Sequence, residues 1–326
     1  MNVAILSART GWHTDELCRA LGERRHTARV LRYEGLRARL GTDRGAAGDL
    51  SSEGTSILDA DAVLARIIPS GSLEQIIFRV DALHWIEEHG VPVMNSPRAI
   101  ERAVDKFYTT ALLQEAGLPT PDTIVCEGLD DAMAAIRAML DTGAGDVIIK
   151  PIFGSMGHGL VRVSDPDVAF RVLRSLGQVR TVFYLQRAID HGGRDVRAFV
   201  VGGRVIGAIE RWAADGDWRT NVARGGSVRP FTLPPEWEPL AIGAAAAVGA
   251  EYAGVDLLYS REGTVYVLEV NAIPGWQGLQ RATGIDVAAA IVAQLERKVG
   301  DTTRNTDRPQ RSGRVREGNP VAEFPV

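Results

Sequence analysis

The chain has 326 residues, 45% of them hydrophobic, with 37 Lys and Arg against 41 Asp and Glu and a formal charge of -4. That length exceeds one small core and implies two or three domains sharing an interface. Mild acidity without a dense Lys/Arg block argues against a nucleic-acid or anionic-membrane partner. Cys18 and Cys126 stand far apart without metal-ligand spacing, so neither a disulfide framework nor a zinc site is expected. No window is apolar for long enough to cross a bilayer, the opening run MNVAIL is too short for a signal peptide, and a cytoplasmic location is expected.

In chain order, a strand at 3–6, a helix at 15–23 and a strand at 28–31 open a β-α-β unit. Residues 41–56, rich in Gly, Ser and charge, read as a long loop before a strand at 62–67, a helix at 74–88 and a strand at 92–94. Ser96 and Pro97 mark a helix start, Ser96 as acceptor for unpaired amides and Pro97 where no amide partner is needed. This helix runs to about residue 116 and stops at Gly117, with Pro119 and Pro121 in a connection at 118–123. A strand from 124, a helix at 130–140, a strand at 146–149, a glycine loop, a strand at 160–163 and a helix at 167–176 make a small α+β unit. The remainder reads as a strand at 181–186, a hairpin at 196–211 turning at Gly202-Gly203, a helix at 236–252, a hairpin at 255–270 and a helix at 287–299. After Gly300 too few apolar residues remain to hold a fold, and 300–326 is expected to be a disordered tail.

The most informative segment is the last hairpin, with Asp256 and the triplet Glu269-Val270-Asn271. An even-numbered tip at 260–263 sets Asp256 opposite Val267, and alternation then puts Asp256, Glu269 and Asn271 on one face. Two carboxylates and an amide oxygen suit magnesium, which takes its other ligands from water and substrate phosphates. The competing account is an exposed polar face; the apolar run at 265–268 favours the cation, because unpaired acids beside it are costly. Lys150 ends the apolar run Val147-Ile148-Ile149 and precedes a loop, Gly154-Ser155-Met156-Gly157-His158-Gly159, where an ammonium and loop amides can share phosphates. Taken alone that loop reads as a turn, and it matches neither the Walker nor the dinucleotide pattern. Asp105-Lys106 by itself reads as a solvated helix face. Asp195, Arg197, Arg211, Arg219, Asn221 and Arg224 gather charge about a hairpin, for which ion pairing and ligand binding are equal accounts; Asp195 and Arg197 share a strand face. No Gly-x-Ser-x-Gly or His-Glu-x-x-His pattern occurs, and His158 and His191 read as loop residues.

In order, AILS at 4–7, NSPRAIERAVDKF at 95–107, VIIKP at 147–151, the GSMGHG loop, GRDVRAFVVGGRVIGAIER at 193–211, RTNVARGG at 219–226, GVDLL at 254–258, EVNAIPG at 269–275 and TGID at 283–286 carry a resemblance. The chain resembles the ATP-grasp superfamily, and within it the RimK-like α-L-glutamate ligases, from Met1 to about Val299. The resemblance implies an α/β protein of the α+β ATP-grasp type. Its parts are an N-terminal α/β domain at 1–96, a central lid unit at 97–185 and a C-terminal unit with the metal site at 186–299, with ATP between the last two. It implies that Lys106, Lys150 and the loop residues Gly154, Ser155, Met156 and Gly157 contact ATP phosphates. Gln186, Arg187 and Ala188 would fall in the hinge that meets adenine, and Asp195, Arg219 and Asn221 would line the nucleotide site. Asp256, Glu269 and Asn271 would hold two magnesium or manganese ions, Arg211 would stabilise an acyl phosphate, and Arg197 and Arg224 would serve substrate carboxylates.

The implied activity is a ligase reaction, in which a carboxylate is activated as an acyl phosphate and joined to an amine, that of glutamate or another amino acid. The hinge LQRAID lacks the acidic and aromatic residues that often follow the glutamine, and the loop at 186–195 is one residue shorter. Ile273 and Trp276 replace a common Ser and Leu where the acceptor should lie, which assigns Trp276 to substrate. The segment IPGWQGLQRATGID is similar to ligases of pterin-type coenzymes and favours a small-molecule acceptor such as tetrahydromethanopterin. A ribosomal-protein C-terminus is the family alternative, a non-catalytic ATP-binding module is the rival of another class, and a homo-oligomer is left open.

Overall fold

The computed structural model describes residues 1–41, 48–141, 145–154, 157–220 and 225–306. The opening apolar run becomes β1 (Asn2–Ser7), buried from residue 3 onward. A parallel sheet grows on both sides of it, in the order β2 (Thr27–Arg32), β1, β6 (Ala62–Ala65), β7 (Val93–Met94). Helices α1 (Trp12–Glu23) and α2 (Leu73–Glu88) make the crossovers. The stretch at 41–56 expected to be a long loop carries β4 (Asp49–Ser52) and β5 (Thr55–Ser56), which form a second sheet with the preceding β3 (Leu36–Arg39); 42–47 lie outside the described residues. Leu50 within that stretch and Ile57 just after it explain the difference, because both are fully buried in the domain core.

Helix α3 (Pro97–Val104) starts as its sequence predicts, with Ser96 Oγ accepting from the Ala99 amide. The expected single helix is broken at Asp105, whose extended backbone lets its carboxylate accept from the Tyr108 amide and start α4 (Lys106–Glu115). Leu113 of α4 is buried in the core of the C-terminal unit. The central unit therefore begins at β8 (Thr123–Cys126) and not at 97.

That unit is an antiparallel sheet in the order β10 (Val161–Val163), β9 (Val147–Lys150), β11 (Phe183–Arg187), β8, covered by α5 (Leu129–Asp141) and α6 (Pro166–Gly177). Its apolar residues, among them Ile136, Ile149, Leu173 and Phe183, form a cluster of their own.

The C-terminal unit has five antiparallel strands in the order β14 (Ser227–Phe231), β13 (Arg204–Trp212), β12 (Arg194–Val201), β15 (Tyr252–Tyr259), β16 (Val265–Asn271). Helix α7 (Glu238–Val248) ends before the expected 252, because Gly249 takes the left-handed conformation (φ 80) and the chain turns into β15. α8 (Gln277–Thr283) follows, and α9 (Val287–Thr306) runs past the expected end into the segment read as a tail, of which 307–326 lie outside the described residues. Alternation gives the sheet two faces. Val196, Ala198, Val255 and Val270 pack toward α7. On the other face, Phe199, Ile209 and Tyr252 join Val3, Ile5 and Leu17 of the N-terminal domain and Ile291 of α9 in one core. The N-terminal and C-terminal units are thus fused, while the central unit stands apart.

Candidate nucleotide and metal site

The face that docks the N-terminal domain at one end of the sheet carries a row of charges at the other. Ladder register sets Arg211 opposite Asp195, Arg197 opposite Asp256, and Asp256 opposite Glu269. The expected pairing of Asp256 with Val267 is replaced, since the tip spans 260–264 and the register shifts between Asp256 and Leu257. Cross-strand partners share a face, so Asp256 and Glu269 still point the same way.

Asp195, 3% exposed, holds both ends of the Arg211 guanidinium (Nε at 2.7 Å, Nη2 at 2.5 Å) and accepts from Thr220 Oγ1 at 2.8 Å. Asp256, equally buried, takes two bonds from Arg197 at 2.7 Å and one from Arg211 Nη2 at 2.8 Å. Burial alone would raise the Asp256 carboxyl, but the two guanidiniums outweigh it and hold the group well below the usual carboxylate range. Three of its roughly four acceptor sites are engaged. Glu269 is half-buried and has no hydrogen-bond partner among the described residues. Asn271 Oδ1 accepts from the Ile273 amide at 2.9 Å.

Facing this row are two ammonium groups from separate segments. Lys106 reaches the glycine loop, donating to the carbonyls of Ile152 (3.3 Å) and Gly154 (2.8 Å). Lys150 donates to Gln186 Oε1 at 2.5 Å, and Gln186 is fixed in turn by Thr123 Oγ1 and Tyr184 OH. Neither ammonium has a salt bridge to a carboxylate among the described residues. Burial pushes both down, Lys150 to about 8, against the attraction of Glu269. Two desolvated cations without a partner acid make a site for a polyanion.

One cleft brings together Lys106, Lys150, Gly154, Gly157, Gln186, Arg187, Ala188, Asp195, Arg211, Arg219, Asp256 and Glu269. At its hinge the amides of Arg187 and Ala188 are taken by the carbonyls of Asp122 and Asp146. Arg219 pairs with Asp217 at 2.9 Å. Ser155, Met156, Asn221 and Arg224 lie outside the described residues. Trp276 corrects its assignment to substrate: it is 1% exposed, packed against His13 and Phe199 beneath the Arg66 guanidinium, and its large ring serves the core between the fused units. The cleft also has apolar walls that motif reading passed over, Ile148, Leu160, Leu258 and Leu268, together with Trp218 and Thr220. Alternation could have found two of them, since Ile148 shares a face with Lys150 and Leu258 with Asp256.

The donor set fits a hard cation. No group of three His, Cys, Asp or Glu able to hold a metal occurs among the described residues, so a cation here has Asp256, Glu269 and the Asn271 amide and completes its shell with water and phosphate oxygens. The ammoniums, glycine loop and apolar walls fit a nucleoside triphosphate. No helix among the described residues is long and apolar enough to cross a membrane.

An α/β chain with separate central and C-terminal α+β units clasping such a cleft has the ATP-grasp fold. The sequence matches the RimK-like ATP-grasp domain over residues 103–295, and the chain belongs to that family, whose chemistry is carbon–nitrogen ligation driven by ATP. Among its relatives, the tetrahydromethanopterin:alpha-L-glutamate ligase of Methanosarcina acetivorans is 38% identical over 265 residues, covering 73% of this chain and 80% of that one. A probable alpha-L-glutamate ligase of Trichodesmium erythraeum is 33% identical over 302 residues, covering 92% and 97%. The ATP-grasp ligase PsnB, solved with a phosphomimetic variant of its minimal precursor, Mg and ADP, superposes with a TM-score of 0.71 at 23% identity, covering 91% and 98%. D-cycloserine synthetase DcsG gives 0.68 at 20% identity over 92% and 100%.

Proposed function

We propose that this ligase adds L-glutamate to a small carboxylate-bearing coenzyme of the tetrahydromethanopterin type. The observation that carries the reading is the pair of buried ammoniums, Lys106 and Lys150, which have no salt bridge among the described residues and face Glu269 and Asp256 across one cleft. The choice of acceptor draws on the relatives named for tetrahydromethanopterin.

Lys106, Lys150 and the glycine loop bind the ATP phosphates and offset charge that develops on the transferring phosphoryl group. Asp256, Glu269 and Asn271 would hold two divalent cations, magnesium or manganese, whose charge would offset that of the phosphates. An acceptor carboxylate oxygen attacks the terminal phosphorus, the bond to the bridging oxygen breaks, and ADP leaves. Glutamate's amine then attacks the acyl carbon, phosphate departs with the acyl–oxygen bonding pair, and the nitrogen loses its proton to solvent. Arg211, pinned by Asp195, keeps a guanidinium against the acyl phosphate. The central unit excludes water from that reactive intermediate.

The test is phosphate release from ATP and Mg2+ by the purified chain with L-glutamate and tetrahydromethanopterin, against a ribosomal-protein C-terminal peptide as competing acceptor. Release that requires both glutamate and the pterin, and a hydroxamate when hydroxylamine replaces glutamate, is the expected result. Nucleotide binding with no release for any carboxylate would leave a non-catalytic binder.

A further inference from the structure

Resting on the metal site proposed above, the arrangement around Asp256 adds something that site does not contain. Asp256 is not waiting for a cation, because it is already neutralised from both sides. Arg211 and Arg197 contribute two positive charges, Asp195 and Asp256 two negative ones, and the four form a continuous chain of charge-assisted bonds. A divalent ion beside Asp256 would meet guanidinium where it needs carboxylate, and like charges repel. One arginine has to leave.

The two are not equally free to go. The Arg211 side chain is 5% exposed and keeps both bonds to Asp195, which Thr220 also holds. Arg197 is 20% exposed and has no other carboxylate partner among the described residues. Its stem lies over Gly254, where an added Cβ would sit 3.4 Å from Arg197 Cδ and 3.1 Å from Pro274. The lack of a side chain at Gly254 leaves the strand face between Asp256 and the turn after Asn271 clear for a guanidinium.

We infer that Arg197 is an exchangeable guard: it occupies Asp256 in the nucleotide-free protein, yields that carboxylate to the divalent cation, and then takes the carboxylate of the substrate beside the 272–275 turn. Metal and carboxylate substrate are coupled through it. The substrate's anion finds its guanidinium only after Asp256 has been claimed.

The first test needs no turnover. Mn2+ is titrated into nucleotide-free wild type, Arg197→Ala, Arg197→Lys and Asp256→Asn, each checked for a cooperative thermal transition; Asp256 keeps Arg211 in the Arg197 variants, so these remain folded. Arg197→Ala binds Mn2+ about tenfold tighter than wild type, with Arg197→Lys between, which is the loss of one charged hydrogen-bonded pair as competitor. Unchanged or weaker Mn2+ binding by Arg197→Ala overturns the guard. Unchanged binding by Asp256→Asn instead removes the metal reading itself. The second test follows the arginine Nε–H resonances, with the Arg197 signal identified by its loss in Arg197→Lys. Saturating Mg2+ abolishes protection of that proton and leaves Arg211 protected; persistent protection of Arg197 contradicts the exchange. In turnover, Arg197→Ala raises KM for the carboxylate substrate by about tenfold or more and leaves that for ATP within about twofold. An unaltered carboxylate KM defeats the transfer to substrate.

Discussion

Asp256 and Glu269 stand opposite each other on adjacent strands, yet only Asp256 is held by guanidiniums, at 2.7 Å from Arg197 and 2.8 Å from Arg211. Their neutral replacements therefore separate stability from catalysis. Asp256→Asn leaves Arg197 without a carboxylate and lowers unfolding free energy by about 3 kcal/mol. Glu269→Gln changes it by about 1 kcal/mol or less, since no bonded partner is orphaned. Both variants lose turnover by orders of magnitude. Denaturant titration beside phosphate release checks the pair of results, and near-normal activity of Glu269→Gln would remove the metal assignment.

Lys150 gives the site a pH signature. Its ammonium is pushed down to about 8 by burial, with Lys106 adding repulsion and Glu269 opposing. Folding expels this proton between about 8 and the ordinary lysine value, so the desolvation cost is fully present below 8 and relieved as pH rises through that window. Bound phosphates reverse the balance and favour the charged form. ATP affinity should fall as pH rises above about 8, and calorimetry at pH 9 in buffers of different ionisation heat should show proton uptake on binding. A pH-independent affinity from 7 to 10 would contradict this.

His13 is an acid-side sensor at the junction of the fused units. Its Nε2 accepts from the Trp276 amide at 3.1 Å, and burial, aided by the Arg66 charge, lowers it to about 4. The unfolded chain binds this proton below its ordinary value near 6.5, whereas the folded chain resists until about 4. Stability from this residue is thus lost as pH falls from 6.5 toward 4. Thermal unfolding of His13→Gln over that range should show a shallower decline than wild type.

Asn95 is fully buried and uses all four of its hydrogen-bonding positions on backbone. It donates to the carbonyls of Tyr252 (2.7 Å) and Ala272 (2.6 Å) and accepts from the amides of Glu251 (2.6 Å) and Tyr252 (3.1 Å). Asn95→Ala orphans these groups at the end of the hairpin that carries the carboxylates, and should cost at least about 3 kcal/mol. Trp276→Ala, which empties the core beside it, should cost about 3–5 kcal/mol. A Trp276→Ala protein of unchanged stability with raised acceptor KM would restore the substrate assignment.

These cases mark what could be read in advance. Alternation placed Asp256, Glu269 and Asn271 together despite the wrong register, because the odd tip and the shift between Asp256 and Leu257 compensate in parity. Most strands and helices followed from periodicity and from Ser96, Pro97 and Gly117, whereas β3, β4, β5, β14 and α8 did not. Long-range balances stayed hidden. Nothing local shows that Arg197 and Arg211 converge on Asp256, or that Trp276 lies under Arg66, since those contacts depend on how distant strands stack. The break at Asp105 was local, but the apolar pattern runs through it and masks the second cap.

The central unit keeps its apolar residues to itself, whereas the carboxylate-bearing sheet shares a core with the N-terminal one. Lys150 and Gly154 thus sit on a body that shares no core with the one bearing Lys106, Asp256 and Glu269, and Lys106 bridges the two through the carbonyls of Ile152 and Gly154. The two ammoniums proposed to grip phosphate are split between these bodies, so that grip depends on how one body is set against the other.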